Sequence, residues 1–350
     1  MNTVSLQKQI IHENEPVRLA LARLNDLPDT LTLFVLNDGK QLVGTLTDGD
    51  VRRGLLTGFS LEDPTGKFMF RNFRFIRRKG FNLDDIEKFR ERRIKLIPQL
   101  DDNNRIIRII DLNKQHSVLP LDVVIMAGGR GDRMRPLTDS LPKPLLKIGD
   151  KPILEHNIDR LIEFGLDDFH IAVKYLGEQI EDYFGDGSNK SINIDYIRES
   201  MPLGTIGAVG LVGGFSSDHV LIMNSDVLTN IDYEDFYKNF IEEDAAMAVA
   251  SIPYKVNMPF AVLETDGSRI LSFREKPVYT HYTSAGIYLV KRELLDMIPE
   301  GKHFHATELM DAVIAEGKKL IHFPILGYWI DIGRMEDFER AQKEFKHIKF

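Results

Sequence analysis

The chain has 350 residues, of which 43% are hydrophobic and 28% are charged, and its formal net charge is −8. This length is enough for two ordinary domains, and the residue mixture is typical of a soluble globular protein. The absence of cysteine excludes a disulfide framework and a thiolate metal site.

Membrane and nucleic-acid partners are not indicated. No apolar run approaches the ~18 residues that cross a membrane, and the first ten residues lack the apolar core of a signal peptide. A cytoplasmic protein is therefore the simplest expectation. The first 120 residues carry 20 basic and 16 acidic residues, which is too small an excess to indicate nucleic-acid binding, although residues 71–79 form a dense basic run.

A weak internal repeat with an offset of 64 residues marks the first part of the chain. The stretch LNDGKQLVGTLTDGD (residues 36–50) aligns with LDDNNRIIRIIDLNK (residues 100–114). Each copy has the pattern of a strand, a turn and a second strand, and a helical pattern precedes each, at residues 15–25 and 82–92. Because small duplicated units cannot bury their apolar faces alone, we expect the two copies to pack together.

A second domain is predicted after a short polar stretch at residues 115–122. Apolar strands and amphipathic helices then alternate, beginning with a strand at 122–129, a helix at 152–164, a strand at 168–175 and a helix at 177–184. Strands buried on both faces need helices on both sides, so this order predicts a doubly wound, mostly parallel, Rossmann-like α/β sheet. The predicted domains are residues 1–117 and 121–350.

The loop AGGRGDRMRPLTDSLPKPLL follows the first strand of the second domain. Ligands in open α/β sheets bind beyond the carboxyl ends of the strands. Gly128, Gly129 and Gly131 let backbone N–H groups approach a ligand, and Arg133 and Lys143 add positive charge. This combination favours a phosphate chain, although the spacing differs from G-x-x-x-x-G-K-[ST] and from G-x-G-x-x-G.

The same loop resembles the pattern G-G-x-G-T-R-L-x-P-L-T-x-x-x-P-K-P-L of sugar-1-phosphate nucleotidyltransferases, also called nucleotide-sugar pyrophosphorylases. Four further motifs resemble that family in the expected order, over about 230 residues in all. They are PLGTIGAV (202–209), NSDVLTN (224–230), REKP (274–277) and YWIDIGRMEDFERA (328–341).

The resemblance implies transfer of a nucleotide from a nucleoside triphosphate to a sugar 1-phosphate, with release of pyrophosphate. It implies that Asp226 and Asp331 end separate strands of one sheet and hold Mg²⁺, a cation typically bound by one or two carboxylates plus substrate phosphates. The other implied roles are nucleotide binding by Ala127, Gly128, Gly129, Gly131, Gly204 and Thr205, catalysis by Arg133, Lys143 and Lys276, and sugar binding by Ala261, Glu275 and Ser284.

Two positions depart from the family pattern. Asp132 stands where Thr or Ser is usual, and a carboxylate beside a phosphate chain is unfavourable unless it turns outward or contacts a metal. Ala261 stands where Gly is frequent, which affects the expected shape of the sugar pocket rather than catalysis.

The repeated units of residues 1–117 resemble a tandem pair of cystathionine-β-synthase-type (CBS) modules of smaller α+β architecture. That resemblance implies a regulatory nucleotide whose phosphate and ribose contact Thr47 and Asp50. The second copy has Asp111 and Lys114 at these places, so we expect at most one good site, and a purely structural or dimerising role stays open. Fusions of this kind resemble bacterial guanylyltransferases that make precursors of surface-glycan sugars, and this resemblance favours GTP as the nucleotide substrate. A homo-oligomer, dimer or larger, is also expected.

Two other functions stay open from the sequence. A cytidylyltransferase acting on a non-sugar phosphate would share the glycine loop, but REKP and SAGIYLV (284–290) favour a sugar. A catalytically idle nucleotide sensor would not need its loop cations and its two aspartates together, so an active enzyme is the leading interpretation.

Overall fold

The structure, a computed structural model, describes residues 8–27, 31–77, 83–345 and 348. In these ranges the chain forms an N-terminal module with two small sheets and a C-terminal domain built on a seven-stranded sheet. The strands of the module are β1 (Ile10–His12), β2 (Thr32–Leu36), β3 (Leu42–Thr47), β4 (Ile76–Arg77), β5 (Leu96–Leu100) and β6 (Ile106–Asp111). Its helices are α1 (Val17–Asn25), α2 (Asp48–Leu56) and α3 (Leu83–Glu91).

The two small sheets of the module share one topology. In each sheet the first strand is parallel to the second, and the second is antiparallel to the third. The antiparallel pairing repeats with the offset of 64 residues, since Thr32 lies opposite Thr47 and Leu96 opposite Asp111. A β-bulge interrupts both ladders at the equivalent place. The structural repeat therefore follows the repeat in the sequence.

The two copies bury apolar side chains against each other. Phe34 and Leu42 of the first copy form one cluster with Leu96, Leu100 and Ile109 of the second. This shared core gives each copy the cover that its own few strands cannot supply. The copies differ after their last strand, because α2 follows β3 whereas the described chain after β6 turns directly toward the C-terminal domain. Residues 78 and 79 of the basic run lie outside the described residues.

The C-terminal domain has five labelled helices and thirteen strands in its described part. The helices are α4 (Ile153–Glu163), α5 (Gly177–Phe184), α6 (Tyr233–Glu242), α7 (Ala306–Ala315) and α8 (Met335–Glu344). The strands are β7 (Leu121–Met126), β8 (Lys147–Ile148), β9 (Lys151–Pro152), β10 (Asp168–Val173), β11 (Asn193–Arg198), β12 (His219–Asn224), β13 (Val227–Thr229), β14 (Met247–Asn257), β15 (Val262–Asp266), β16 (Arg269–Arg274), β17 (Val278–Lys291), β18 (Leu320–Pro324) and β19 (Trp329–Asp331).

The central sheet has the strand order β11-β10-β7-β12-β17-β14-β18. All of these strands are parallel except β17, which runs antiparallel to both of its neighbours. Successive side chains of β7 enter two cores on opposite faces, with Val123 and Ile125 in one and Val124 in the other. The predicted parallel-rich α/β sheet is confirmed, and helices cover both of its faces because both are apolar.

Residues 252–283 form a projecting arm. The outer halves of β14 and β17 continue beyond the sheet as an antiparallel ribbon, and the hairpin of β15 and β16 lies at its end. Most side chains of the arm are exposed.

The N-terminal module packs against the C-terminal domain. The Arg108 guanidinium lies 2.8 Å from the Asp167 carboxylate and donates a hydrogen bond to the Gly165 carbonyl. Lys238 of α6 lies 2.8 Å from Glu87 of α3, and Leu83 enters the core of the C-terminal domain. In the described ranges, no helix is both long enough and apolar enough to span a membrane.

Candidate active site

The glycine-rich loop leaves the end of β7 and is held by its own polar contacts. The Ala127 N–H donates to the Ala172 carbonyl at 2.8 Å, and the Thr138 hydroxyl donates to the Gly131 carbonyl at 2.8 Å. Gly131 adopts a left-handed conformation with φ of 68°, and a Cβ there would lie 3.0 Å from the Thr138 methyl. Only glycine meets both requirements without strain, so this position fixes the turn.

A cavity of about 1020 Å³ opens at the carboxyl ends of β7, β10, β11 and β12. This is the edge at which open α/β sheets bind ligands. All six predicted nucleotide-binding residues line it, together with Arg133, Lys143 and Asp226: Ala127, Gly128, Gly129, Gly131, Gly204 and Thr205. The Thr205 hydroxyl also accepts a hydrogen bond from the Ala306 N–H at the start of α7.

The two predicted metal ligands are brought together by a small second sheet. Asp226 lies in the turn between β12 and β13, and Asp331 is the last residue of β19. Because β13 pairs with β19, Val227 lies opposite Asp331, and the Ile332 N–H donates to the Asp226 carbonyl at 2.9 Å. The expectation that both aspartates end strands of one sheet was wrong, since β19 belongs to a separate two-stranded sheet.

The negative charges of Asp226 and Asp331 are compensated to different degrees. Lys143 is buried, and its ammonium group lies 2.5 Å from the Asp226 carboxylate. Burial raises the pKa of Asp331, and the Asp226 carboxylate raises it further, whereas Lys143 and Arg133 oppose the change. One carboxylate oxygen of Asp331, Oδ1, is buried without a hydrogen-bond partner in the described structure.

These carboxylates suit a hard cation. A buried oxygen without a donor beside a second carboxylate is electrostatically unfavourable until a cation arrives. Magnesium prefers such oxygen ligands and is commonly held by one or two carboxylates plus substrate phosphates. Among the described residues no larger cluster of metal-binding side chains forms.

Comparison with known proteins decides the family. Residues 122–347 match the family described as nucleotidyl transferase. The chain belongs to the nucleotidyl transferase family. Its match begins at residue 122, one residue after β7 starts, so the family covers the C-terminal domain and not the N-terminal module.

Individual members of the family resemble this nucleotidyl transferase over the same domain. A mannose-1-phosphate guanylyltransferase of Mycobacterium tuberculosis is 32% identical over 230 residues, covering 64% of this chain and 64% of that protein. A D-glycero-alpha-D-manno-heptose 1-phosphate guanylyltransferase of Aneurinibacillus thermoaerophilus is 30% identical, covering 65% of this chain and 99% of that protein. The solved structure of HddC from Yersinia pseudotuberculosis aligns with a TM-score of 0.51 at 25% identity, covering 64% of this chain and 99% of that one.

Glu199 lines the cavity of this nucleotidyl transferase although it was not among the predicted site residues. Its carboxylate accepts a hydrogen bond from the Leu203 N–H at 3.1 Å, and burial raises its pKa. A Cβ on Gly128 would lie only 2.4 Å from the Glu199 Oε1 atom, so the glycine leaves room for this carboxylate. The feature that could have identified Glu199 is its position one residue after β11, at the same sheet edge as the glycine loop.

Asp132, the unusual residue of the loop, lines the cavity and pairs with two arginines. Its carboxylate lies 3.1 Å from Arg135 and 3.6 Å from Arg130, and its side chain is 63% exposed. The negative charge is therefore neutralised by neighbouring arginines.

The predicted sugar-side residues lie in the arm or at its base. Ala261, Glu275 and Lys276 are exposed, and the described residues that line the cavity include none from 227–302. Ser284 lies at the base of the arm, where its hydroxyl is 3.0 Å from the Tyr288 hydroxyl. Lys276 is not among the described lining residues of the cavity, although the ribbon that carries it leaves the sheet at the same edge, since β14 is parallel to β12.

The residues predicted to bind a regulatory nucleotide form a helix cap. The Thr47 hydroxyl accepts from the Asp50 N–H, and the Asp50 carboxylate accepts from the Thr47 N–H at 2.8 Å. A cavity of about 810 Å³ between the two copies is lined by Thr47, Asp48 and Gly49 and by several cations, but the buried Asp50 is not among its lining residues.

Proposed function

We propose that the protein is a sugar-1-phosphate guanylyltransferase, which joins GTP and a sugar 1-phosphate to form a GDP-sugar and pyrophosphate. The observation that carries this proposal is one cavity that gathers a glycine-rich backbone, Arg133, Lys143 and Asp226, with Asp331 near enough to Asp226 for the two carboxylates to interact. Two of the relatives that share this domain are a mannose-1-phosphate guanylyltransferase and a heptose 1-phosphate guanylyltransferase.

The reaction needs positioning and charge neutralisation more than proton transfer. An oxygen of the sugar phosphate, already anionic, attacks the α-phosphorus of the nucleotide, and the bond from that phosphorus to the leaving pyrophosphate breaks. Arg133, Lys143 and the loop N–H groups hold the phosphate chain and stabilise the charge that develops on it. A magnesium ion held by Asp226 and Asp331 would supply further positive charge at the α-phosphate.

Glu199 supports guanine as the base. Guanine presents adjacent N–H donors, at N1 and N2, on its Watson–Crick edge, and an ionised carboxylate offers two acceptors to match them. Uracil and thymine present a single N–H between two carbonyl acceptors on that edge, and both carbonyls would face the carboxylate. We therefore assign Glu199 to base selection.

For the remaining parts of the molecule, we propose the roles that were predicted from the sequence. Residues 121–350 form the catalytic domain, and residues 1–117 form a CBS-like pair that binds a regulatory nucleotide or holds subunits together. The cationic cavity between the two copies is the proposed nucleotide site, with Thr47 at its edge. Asp50 would contact a ribose only after leaving the cap of α2. Ala261, Glu275, Lys276 and Ser284 form the proposed sugar side, and the proposed location is the cytoplasm.

A pyrophosphate-release screen tests the proposal. The full chain is incubated with Mg²⁺ and each of four nucleoside triphosphates, against a panel of sugar 1-phosphates and of non-sugar phosphates. Release with GTP and a sugar 1-phosphate is expected. Release with CTP and an alditol phosphate would favour the cytidylyltransferase alternative, and no release in any combination would favour a nucleotide sensor.

A further inference from the structure

Two of the cations that line the cavity lie at its pair of carboxylates. The Lys143 ammonium group is 2.5 Å from the Asp226 carboxylate. The Arg133 guanidinium opposes the rise in the pKa of Asp331. A Cβ on Gly333 would lie 3.5 Å from Arg133 Nη2 and 3.4 Å from Asp331 Oδ2, so these two groups face the same space. Both cations are therefore placed where the α-phosphate of the nucleotide is proposed to react.

A third cation of the glycine loop, Arg130, lines the same cavity toward β10. Its guanidinium lies over the Tyr175 ring, with Cζ 5.5 Å from the ring centroid. Tyr175 comes two residues after β10, whereas Asp226 comes two residues after β12, and these two strands flank β7 on opposite sides. Arg130 is therefore displaced from the carboxylate pair.

The Tyr175 ring is anchored by the later part of the same loop. Its hydroxyl lies 3.0 Å from the Thr138 carbonyl and 3.1 Å from the Asp139 carbonyl, and it donates to these oxygens. A guanidinium above a tyrosine ring is attracted by the negative face of the π system. The anchored ring thus gives Arg130 a fixed surface on which to lie.

The Asp132 carboxylate provides a second contact for the same guanidinium. It lies 3.6 Å from the Nε atom of Arg130 and 3.1 Å from Arg135. Because Asp132 approaches Arg130 at Nε, the two terminal nitrogens of the guanidinium remain to donate hydrogen bonds to a phosphate. The carboxylate and the ring together orient the phosphate-binding edge of Arg130.

The pair of Arg130 and Asp132 adds little to the stability of the fold. The two side chains are 61% and 63% exposed, and ion pairs between exposed groups contribute little. An anionic ligand gains from an arginine that is already held in place, because less conformational entropy is lost on binding. The unusual carboxylate at position 132 is therefore better explained by the orientation of Arg130 than by stability.

The leaving pyrophosphate requires positive charge away from the carboxylate pair. Negative charge accumulates on the pyrophosphate as its bond to the α-phosphorus breaks. Arg133 and Lys143 already lie beside carboxylates that offset part of their charge. Arginine suits a polyphosphate because its planar set of N–H groups can bind two phosphate oxygens at once.

We propose that Arg130 binds the β- and γ-phosphates of the nucleotide, which leave as pyrophosphate, and that Asp132 and Tyr175 are positioning residues for Arg130. The role of Arg130 in releasing pyrophosphate rests on the proposed transferase function. A carboxylate that only repelled phosphate would weaken the binding of pyrophosphate, whereas a positioning carboxylate strengthens it. The two roles of Asp132 therefore predict effects of opposite sign.

The reverse reaction tests the contact of Arg130. The full chain is given inorganic pyrophosphate and the GDP-sugar that the screen identifies. Arg130→Met should raise the KM for pyrophosphate about 10- to 100-fold, as expected for loss of a charge-assisted hydrogen bond, without changing the KM for the GDP-sugar. Arg130→Lys keeps the charge and should lie between Arg130→Met and the wild type.

The matched control for Arg130→Met is Arg198→Met. Arg198 is an exposed arginine that pairs with Glu181 at the end of β11 and does not line this cavity, so its loss should keep the wild-type KM for pyrophosphate. Matching melting curves verify that all variants fold. An unchanged pyrophosphate KM in Arg130→Met, or an equal rise in both KM values, overturns the proposal.

The sign of the effect of Asp132→Asn tests the positioning role. This change should raise the KM for pyrophosphate several-fold, whereas Glu181→Gln, the control, should not. In a chain that already carries Arg130→Met, Asp132→Asn should no longer raise the KM, because no guanidinium is left to orient. Tyr175→Leu should likewise raise it only where Arg130 is present. A KM lowered by Asp132→Asn, or an equal rise in both backgrounds, overturns the positioning role.

Calorimetry separates the contact of Arg130 from the transferase function. GTP and GMP are titrated into the wild type and into Arg130→Met. The affinity for GTP should fall about 10- to 100-fold and that for GMP should stay the same, because GMP lacks the β- and γ-phosphates. A nucleotide bound by the N-terminal module is common to both proteins. An inactive wild type with this binding pattern refutes the transfer reaction and supports the contact, whereas equal GTP affinities overturn the contact.

Discussion

At the residue scale, Asp331 combines a proposed role in metal binding with a cost in stability. Burial and the neighbouring Asp226 carboxylate raise the pKa of Asp331 in the folded protein. A carboxyl group whose pKa is higher in the folded state than in the unfolded state destabilises the folded state at neutral pH. Stability of the metal-free protein therefore improves as the pH falls through the raised pKa.

We predict that Asp331→Asn stabilises the metal-free protein while it removes magnesium-dependent turnover. The melting temperature in EDTA should rise by a few degrees, corresponding to roughly 1 kcal/mol, because a buried like charge is removed. Turnover should fall by about 10²–10³ or more. Calorimetry and pyrophosphate release measure the two effects.

Asp226→Asn is the comparison for Asp331→Asn. It should also remove turnover, but it should lower the melting temperature because it leaves the buried Lys143 without its carboxylate partner. A lower melting temperature for Asp331→Asn in EDTA would contradict the predicted electrostatic cost.

Glu199→Gln should weaken the preference for GTP. The amide replaces one acceptor by a donor, which then faces a donor of guanine, so kcat/KM for GTP should fall by about 10- to 100-fold. The ratio of GTP to UTP turnover is the measurement. Glu178→Gln, an exposed change on α5, is the control and should keep the wild-type ratio. An unchanged ratio in Glu199→Gln would separate this carboxylate from base selection.

At the element scale, the glycine loop depends on its glycines to different degrees. Gly131→Ala should lower the melting temperature, at a cost of about 1 kcal/mol or more, because φ is 68° and a Cβ would crowd both Thr138 and Lys143. Gly129→Ala should leave the melting temperature unchanged, since nothing lies within 4 Å of its Cβ position. Equal melting temperatures of the two variants would show that the turn at Gly131 relaxes freely.

At the scale of the whole molecule, two cavities are expected to bind nucleotides independently. Titration calorimetry of the Lys143→Ala chain, in which the active site is weakened, should show at most one additional nucleotide site per chain, in the N-terminal module. Asp50→Ala should remove this binding, and any effect of the bound nucleotide on turnover should be modest, about 1–3 kcal/mol of coupling.

Asp50→Ala also removes the side-chain half of the capping box of α2, so circular dichroism must show that the module remains folded. Binding that survives in a folded Asp50→Ala variant would exclude the ribose role of Asp50. The absence of binding by adenine or guanine nucleotides at millimolar concentration would leave the module a structural or dimerising element.

Local chemistry made much of this protein predictable from its sequence. The continuous apolar run before the glycine loop indicated a buried strand, which the structure confirms, and the glycines and cations after it line a cavity at the sheet edge, where a phosphate site was predicted. The offset repeat of the first 120 residues indicated two similar units, and the structure repeats even the β-bulge. These features can be predicted from the sequence because the periodicity of buried residues, the residue preferences of turns and the local charge each depend on a few neighbouring residues.

Long-range pairing was decided only by the tertiary structure. The sequence could not show that β17 runs antiparallel, that β19 pairs with β13 and so brings Asp331 beside Asp226, or that Glu199 faces Gly128. It indicated REKP as a motif but not that the motif leaves the domain on an arm. Strand partners are chosen by register and packing between segments far apart in the chain, so the local pattern of each segment leaves several pairings open.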